Sequence, residues 1–116
     1  MRHQKKNVKL GRVLGPRKAL LRNLAESLIL HEGITTTKAK AKAVKGVIEP
    51  LITKAKRNQA SDMAKIMEVL YTKKAISKLI KEIAPRYTER HGGYTRTTKL
   101  GNRFNDSAEV VRIEFV

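Results

Sequence analysis

The densest run of residues equipped for chemistry is Pro85-Arg86-Tyr87-Thr88-Glu89-Arg90-His91-Gly92-Gly93-Tyr94-Thr95-Arg96. The chemistry it offers is recognition of a phosphate backbone. Arg86, Arg90 and Arg96 can reach phosphate oxygens, and the two glycines allow close backbone approach. Tyr94 and His91 can stack on a base or hydrogen-bond to a 2′-hydroxyl. Two roles stay open for Tyr94: a base platform, or a core ring whose hydroxyl reaches a polar partner. With Lys99 and Arg103, five cations between residues 86 and 103 face one acid, Glu89.

A second basic group opens the chain. Residues 1 to 18 hold Arg2, Lys5, Lys6, Lys9, Arg12, Arg17 and Lys18 and no acid, while Gly11 and Gly15 interrupt any helix. Seven uncompensated charges repel one another unless an anion neutralises them, and a polyphosphate does so by displacing condensed counterions. An extended nucleic-acid-binding arm over 1–15 is expected. A membrane surface fits less well, because only Val8, Leu10, Val13 and Leu14 could insert at an interface. A third group lies along a predicted helix, where Lys38, Lys42, Lys45 and Lys56 line one side together with Glu49.

Catalysis and metal binding are poorly supported. His31-Glu32 starts like the zinc-protease helix motif, but Thr35 stands where the second histidine is required. The stretch Gly11 to Lys18 is one residue short of a phosphate-binding loop, places Pro16 at the lysine position and follows no strand. No cysteine is present, the ten acids are scattered among Lys and Arg, and His3, His31 and His91 lie far apart. We therefore expect neither enzyme activity, nor a metal, nor a cofactor, nor a small-molecule substrate.

The elements that must position these residues follow from hydrophobic periodicity. Pro16 suits the first turn of a helix carrying Leu20, Leu21, Leu24, Ala25 and Leu28, with Gly33 as its stop. The β-branched run Ile34 to Thr37 predicts a strand, and Thr37 can cap a helix starting at Lys38. That helix keeps one apolar stripe through Ala39, Ala43, Val44, Val47, Ile48, Leu51, Ile52 and Ala55, so a single kinked helix across Pro50 is predicted. Asp62 is read as the cap of a helix holding Met63, Ile66, Met67 and Leu70 in the core. Thr72 caps another with Ile76, Leu79, Ile80 and Ile83, ending before Pro85. After a basic loop over 85–93, Tyr94 to Leu100 and Glu109 to Phe115 read as strands joined by the turn residues 101–107.

The chain of 116 residues, 41% hydrophobic and 31% charged with a formal net charge of +16, is long enough for one packed core. The expected fold is α/β (α+β): an arm over 1–15, then one two-layer domain over 16–116 in the order α-β-α-α-α-β-β. In it a small three-stranded mixed sheet is covered on one face by about four helices. No apolar run approaches a membrane span, and the first residues lack a secretory signal. An organelle transit peptide is disfavoured, because the acid-free start runs into a strong helix. Five aromatic residues are too few for a stacking sheet of the RNP type. A DNA-compacting protein is the rival reading, although a lysine-lined helix offers phosphate contacts rather than base readout.

At the 85–96 run the chain resembles the large-subunit ribosomal protein seventeen family of bacteria. So do Met1-Arg2-His3, Arg17-Lys18-Ala19-Leu20-Leu21-Arg22-Asn23-Leu24, and His31-Glu32-x-Ile34-x-Thr36-Thr37 followed by Lys40-Ala41-Lys42. The resemblance implies a cytoplasmic, ribosome-bound structural component of the 50S particle. It would bind large-subunit ribosomal RNA and adjoin neighbouring ribosomal proteins near the peptide exit region. Carried over by position, it implies RNA contacts at Arg2, His3, Lys5, Lys6, Arg12, Arg17, Lys18, Arg22, Asn23, Arg86, Arg90, Gly92, Gly93, Tyr94 and Arg96. Lys9, Thr36, Lys38, Lys42, His91, Lys99 and Arg103 complete the candidate set. One departure stands out: Leu14-Gly15-Pro16 replaces the family's usual Ser-Ser-His before the first helix.

Overall fold

The computed structural model describes residues 14–116; the candidates Arg2, His3, Lys5, Lys6, Lys9 and Arg12 lie outside the described residues. Helix α1 (Leu14–His31) carries Pro16 in its first turn, where a missing N–H leaves no bond unmade. It turns Leu24, Ala25, Leu28 and Ile29 to the core. The left-handed residue that ends it is Glu32 (φ 64°), whose N–H donates to the Leu28 carbonyl at 2.7 Å. Gly33, expected as the stop, instead opens strand β1 (Gly33–Thr37). In its left-handed conformation the Glu32 carboxylate is paired with Arg86 and with Lys78.

Helix α2 (Lys38–Arg57) is capped by Thr37, whose hydroxyl accepts from the Lys40 N–H at 3.4 Å, as its sequence position predicts. It runs through Pro50 without interruption. The carbonyl facing the proline ring belongs to Gly46, four residues earlier, and the stripe Val44, Ile48, Leu51, Ile52, Ala55 stays buried on both sides. Helix α3 (Ala60–Val69) follows, with Gln59 rather than Asp62 at its cap. Asp62 lies in the first turn, buried, and accepts from Arg57 Nη2 at 2.6 Å. Ile66 and Leu70 enter the core as expected, but Met67 is exposed.

Helix α4 (Lys73–Lys78) is capped by Thr72, whose hydroxyl accepts from the Ala75 N–H. The helical path does not stop before Pro85. It widens into a π-helical turn over Leu79–Ile83 and tightens into a 3-10 turn over Ala84–Tyr87, and Pro85 falls in the first residues of that turn, where no N–H is needed.

Strands β2 (Thr95–Asn102) and β3 (Glu109–Phe115) form a hairpin. The sheet order is β1-β3-β2, with both pairings antiparallel. The expected mixed sheet is therefore corrected: β3 turns back from β2 and inserts beside β1, so the two strands of like direction never touch. Val111, Ile113 and Phe115 point to the helices, against which α2 packs the sheet. Beyond Thr95 every residue of β2 is exposed, and a bulge at Leu100 shifts the register between Lys99 and Gly101.

Candidate nucleic-acid interface

The loop joining the 3-10 turn to β2 is held by one face of α2. Glu49, Thr53 and Lys56 stand at i, i+4 and i+7, which places them in a row. The Glu49 carboxylate accepts from the Gly93 N–H at 3.1 Å, the Thr95 N–H at 3.2 Å and the Thr95 hydroxyl at 2.8 Å. Lys56 Nζ donates to the Arg90 carbonyl and, at 3.1 Å, to the Tyr94 hydroxyl, which also shares a hydrogen bond with Thr53 at 3.4 Å. Gly92 and Gly93 both take positive φ (97° and 61°), a backbone that side chains rarely adopt, and this turns the chain back onto the helix.

This clamp settles the two roles left open for Tyr94. The ring is 2% exposed and packs 5.2 Å from the Tyr87 ring, so it serves the core and is withdrawn from base stacking. Burial pushes its hydroxyl up, but hydrogen bonds from Thr53, Lys56 and the Gly92 backbone more than reverse this and leave it below the ordinary tyrosine value. Thr36 shares a sheet face with Val111 and is half-buried toward the helices, so its side chain is also turned away from an outside ligand.

The remaining candidates divide by electrostatic partner. Arg86 is bonded to Glu32, whose carboxyl is held at about 2, first by the Arg86 hydrogen bond and then by Lys78, against the opposing effect of burial. Lys38 and Lys99 both reach Glu109, at 3.4 and 2.9 Å. Arg96 meets Glu114 at 3.1 Å, its directly opposite residue on β3. Arg103 grips Asp106 through two bonds at 3.1 and 2.6 Å. Each partnered carboxyl of the hairpin is lowered: Glu109 first by Lys99, Glu114 first by Arg96, Asp106 first by the Ala108 N–H.

Among the described residues, Arg17, Lys18, Arg22, Lys42 and Arg90 make no ion pair. Lys18, Asn23, Lys42, Arg90, His91 and Gly93 are exposed, Arg17 is half-buried, and the Arg22 guanidinium lies 4.3 Å over the Tyr71 ring. An open cleft of about 560 Å³ beside the loop brings His91 together with Lys56 and Arg57 over a floor of Ile80, Ala84 and Pro85. Exposed cations that no carboxylate pairs suit phosphate oxygens. The Glu49–Thr53–Lys56 row was missed from sequence, although its i, i+4, i+7 spacing on the polar side of α2 was the available signal. Among the described residues no cluster of metal-ligating side chains forms, and no helix is long and apolar enough to cross a membrane.

Comparison with known proteins places these residues in context. The family described as Ribosomal protein L17 matches residues 20–116. The chain is similar to large ribosomal subunit protein bL17 of Bacteroides fragilis, 49% identical over 116 residues, covering 100% of this chain and 72% of the relative. It is 47% identical to bL17 of Syntrophotalea carbinolica, with 100% and 75% covered. It is 49% identical to bL17 of Staphylococcus carnosus over 118 residues, with 93% and 97% covered.

Proposed function

The chain belongs to the ribosomal protein L17 family, and from that premise we propose that it is a non-catalytic structural constituent of the large ribosomal subunit. It binds large-subunit ribosomal RNA through two elements: the basic arm, expected over 1–15 although α1 already begins at Leu14, and the 85–96 loop, both carried by one α/β domain. By neutralising and pinning together RNA segments it supports subunit assembly. It works in the cytoplasm on the ribosome, near the peptide exit region and beside other ribosomal proteins.

The observation that carries this reading is the clamp of Glu49, Thr53 and Lys56 on the 90–95 backbone. It fixes Arg90 and His91 in an exposed position while leaving both side chains unbound. A loop ordered from behind and open in front loses little entropy on binding.

Removal of residues 1–12 tests the arm. It deletes five cations ahead of α1. Helical circular dichroism should persist, while the slope of log K against log salt for protein-free large-subunit ribosomal RNA should shrink by up to about 4. Within the loop, Arg90→Ala should weaken binding more than Lys99→Ala, because Lys99 is already matched by Glu109. An unaltered salt slope after truncation, with affinity intact, would remove the arm from the interface.

A further inference from the structure

The chain has five aromatic residues, and the structure accounts for four of them. Tyr87, Tyr94 and Phe115 are in the core, and Tyr71 has a ring face covered by Arg22. The fifth, Phe104, is 100% exposed at the tip of the β2–β3 hairpin. Its ring buries nothing, so it contributes no hydrophobic stabilisation to the fold.

The turn beneath it is built without it. The Arg103 N–H donates to the Ala108 carbonyl at 2.8 Å and the Ser107 N–H to the Arg103 carbonyl at 3.0 Å. Arg103 holds Asp106 through two bonds, and Asp106 in turn accepts from the Ala108 N–H at 3.1 Å. A large apolar ring is thus displayed on a stiff turn. Its chain neighbours are all polar: Asn102, Arg103, Asn105 and Asp106.

We propose that Phe104 stacks on an unpaired base of large-subunit ribosomal RNA, a contact that rests on the RNA-binding reading above and adds a third point of attachment to it. An apolar protein pocket would select an anchor ringed by other apolar groups. Phe104 is flanked in the chain by Asn102, Arg103 and Asn105, whose groups hydrogen-bond to base edges and phosphates, while the one nearby acid, Asp106, is neutralised by Arg103; the net charge of +16 favours a polyanionic neighbour. The arginine beside the ring keeps donors beyond the two that Asp106 uses. Aromatic stacking tolerates any base, so the hairpin would contribute affinity and position rather than sequence preference.

The chain contains no tryptophan, so Phe104→Trp introduces a single indole reporter at a site where no packing is disturbed. The full-length protein, the F104W variant and the F104A variant are titrated with protein-free large-subunit ribosomal RNA. Stacking predicts quenched indole emission on binding, an affinity for F104W at least equal to the parent, and about a tenfold loss for F104A. Thermal midpoints should be unchanged in both variants. Tight binding by all three proteins with an unquenched indole would overturn the proposal, as would an indole that stays unquenched in protein-free RNA but shifts to the blue in assembled subunits, the mark of a protein pocket. Failure of every protein to bind this RNA would instead overturn the RNA-binding reading itself, and the stacking contact with it.

Discussion

Glu49→Ala separates positioning from charge. The substitution removes a carboxylate from a chain of net charge +16, so electrostatic attraction alone predicts equal or tighter RNA binding. The structure predicts the opposite. Glu49 accepts three hydrogen bonds from Gly93 and Thr95, and Thr95 is 6% exposed, so its two donors would be left almost without solvent. Leaving such donors unmet costs about 1–3 kcal/mol, and the outer Gly93 bond adds about 0.5–1 kcal/mol. The combined loss of about 2–3 kcal/mol should lower the thermal midpoint by about 10 °C in a chain of this size. The freed loop must then be ordered by the RNA, which should weaken binding roughly 5- to 10-fold. Glu49→Gln keeps one acceptor oxygen and should fall between the two proteins. Calorimetry gives the stability and filter binding to protein-free large-subunit ribosomal RNA at fixed salt gives the affinity. An E49A protein that binds as tightly as the parent, with an unchanged midpoint, would refute the clamp.

Three further outcomes follow from the same geometry. The Glu32 carboxyl sits at about 2 against an ordinary 4.5, so its pairing with Arg86 and Lys78 stabilises the fold fully above about pH 4.5 and is lost as the pH falls toward 2. Because the side chain is more than one-third exposed, solvent screening reduces this to about 1 kcal/mol. Denaturation midpoints at pH 7 and pH 3 should differ less in Glu32→Gln than in the parent, and an equal difference would exclude the pair as a source of acid sensitivity. Tyr94→Phe removes the hydroxyl held by Lys56 and Thr53 and should cost about 1 kcal/mol with little effect on RNA affinity. Tyr94→Ala empties a core site and should cost about 3–5 kcal/mol by denaturant titration. A Y94F protein of parental stability would argue against the buried hydroxyl network.

Local signals carried much of the fold. Strand β3 has the predicted bounds because Val111, Ile113 and Phe115 alternate with polar partners, and Thr37 and Thr72 cap their helices because the donors lie within three residues. The apolar stripe predicted α2 across Pro50 for the same reason. What failed involves side-chain pairings that periodicity does not show. Glu32, not Gly33, stops the helix and is paired with Arg86 and Lys78 from far along the chain, while Asp62 sits in the first turn of α3, buried and paired with the half-exposed Arg57 just five residues earlier. The passage through Pro85 needed a π-helical turn that no periodicity announces.

The same division runs through the interface. Residue types marked the 85–96 loop, but sequence could not distinguish Arg90, which is unpaired, from Arg96, which is matched by Glu114 only through the β2–β3 register. Nor could it separate the buried ring of Tyr94 from the exposed ring of Phe104, since both are aromatics beside arginines or glycines.

The most direct test of the central claim is where the protein sediments when a cell lysate is separated on a sucrose gradient at moderate salt. Membership of the large subunit predicts that it migrates with free large subunits and with whole ribosomes, and is absent from free small subunits. Cosedimentation with free small subunits or with the nucleoid would contradict it.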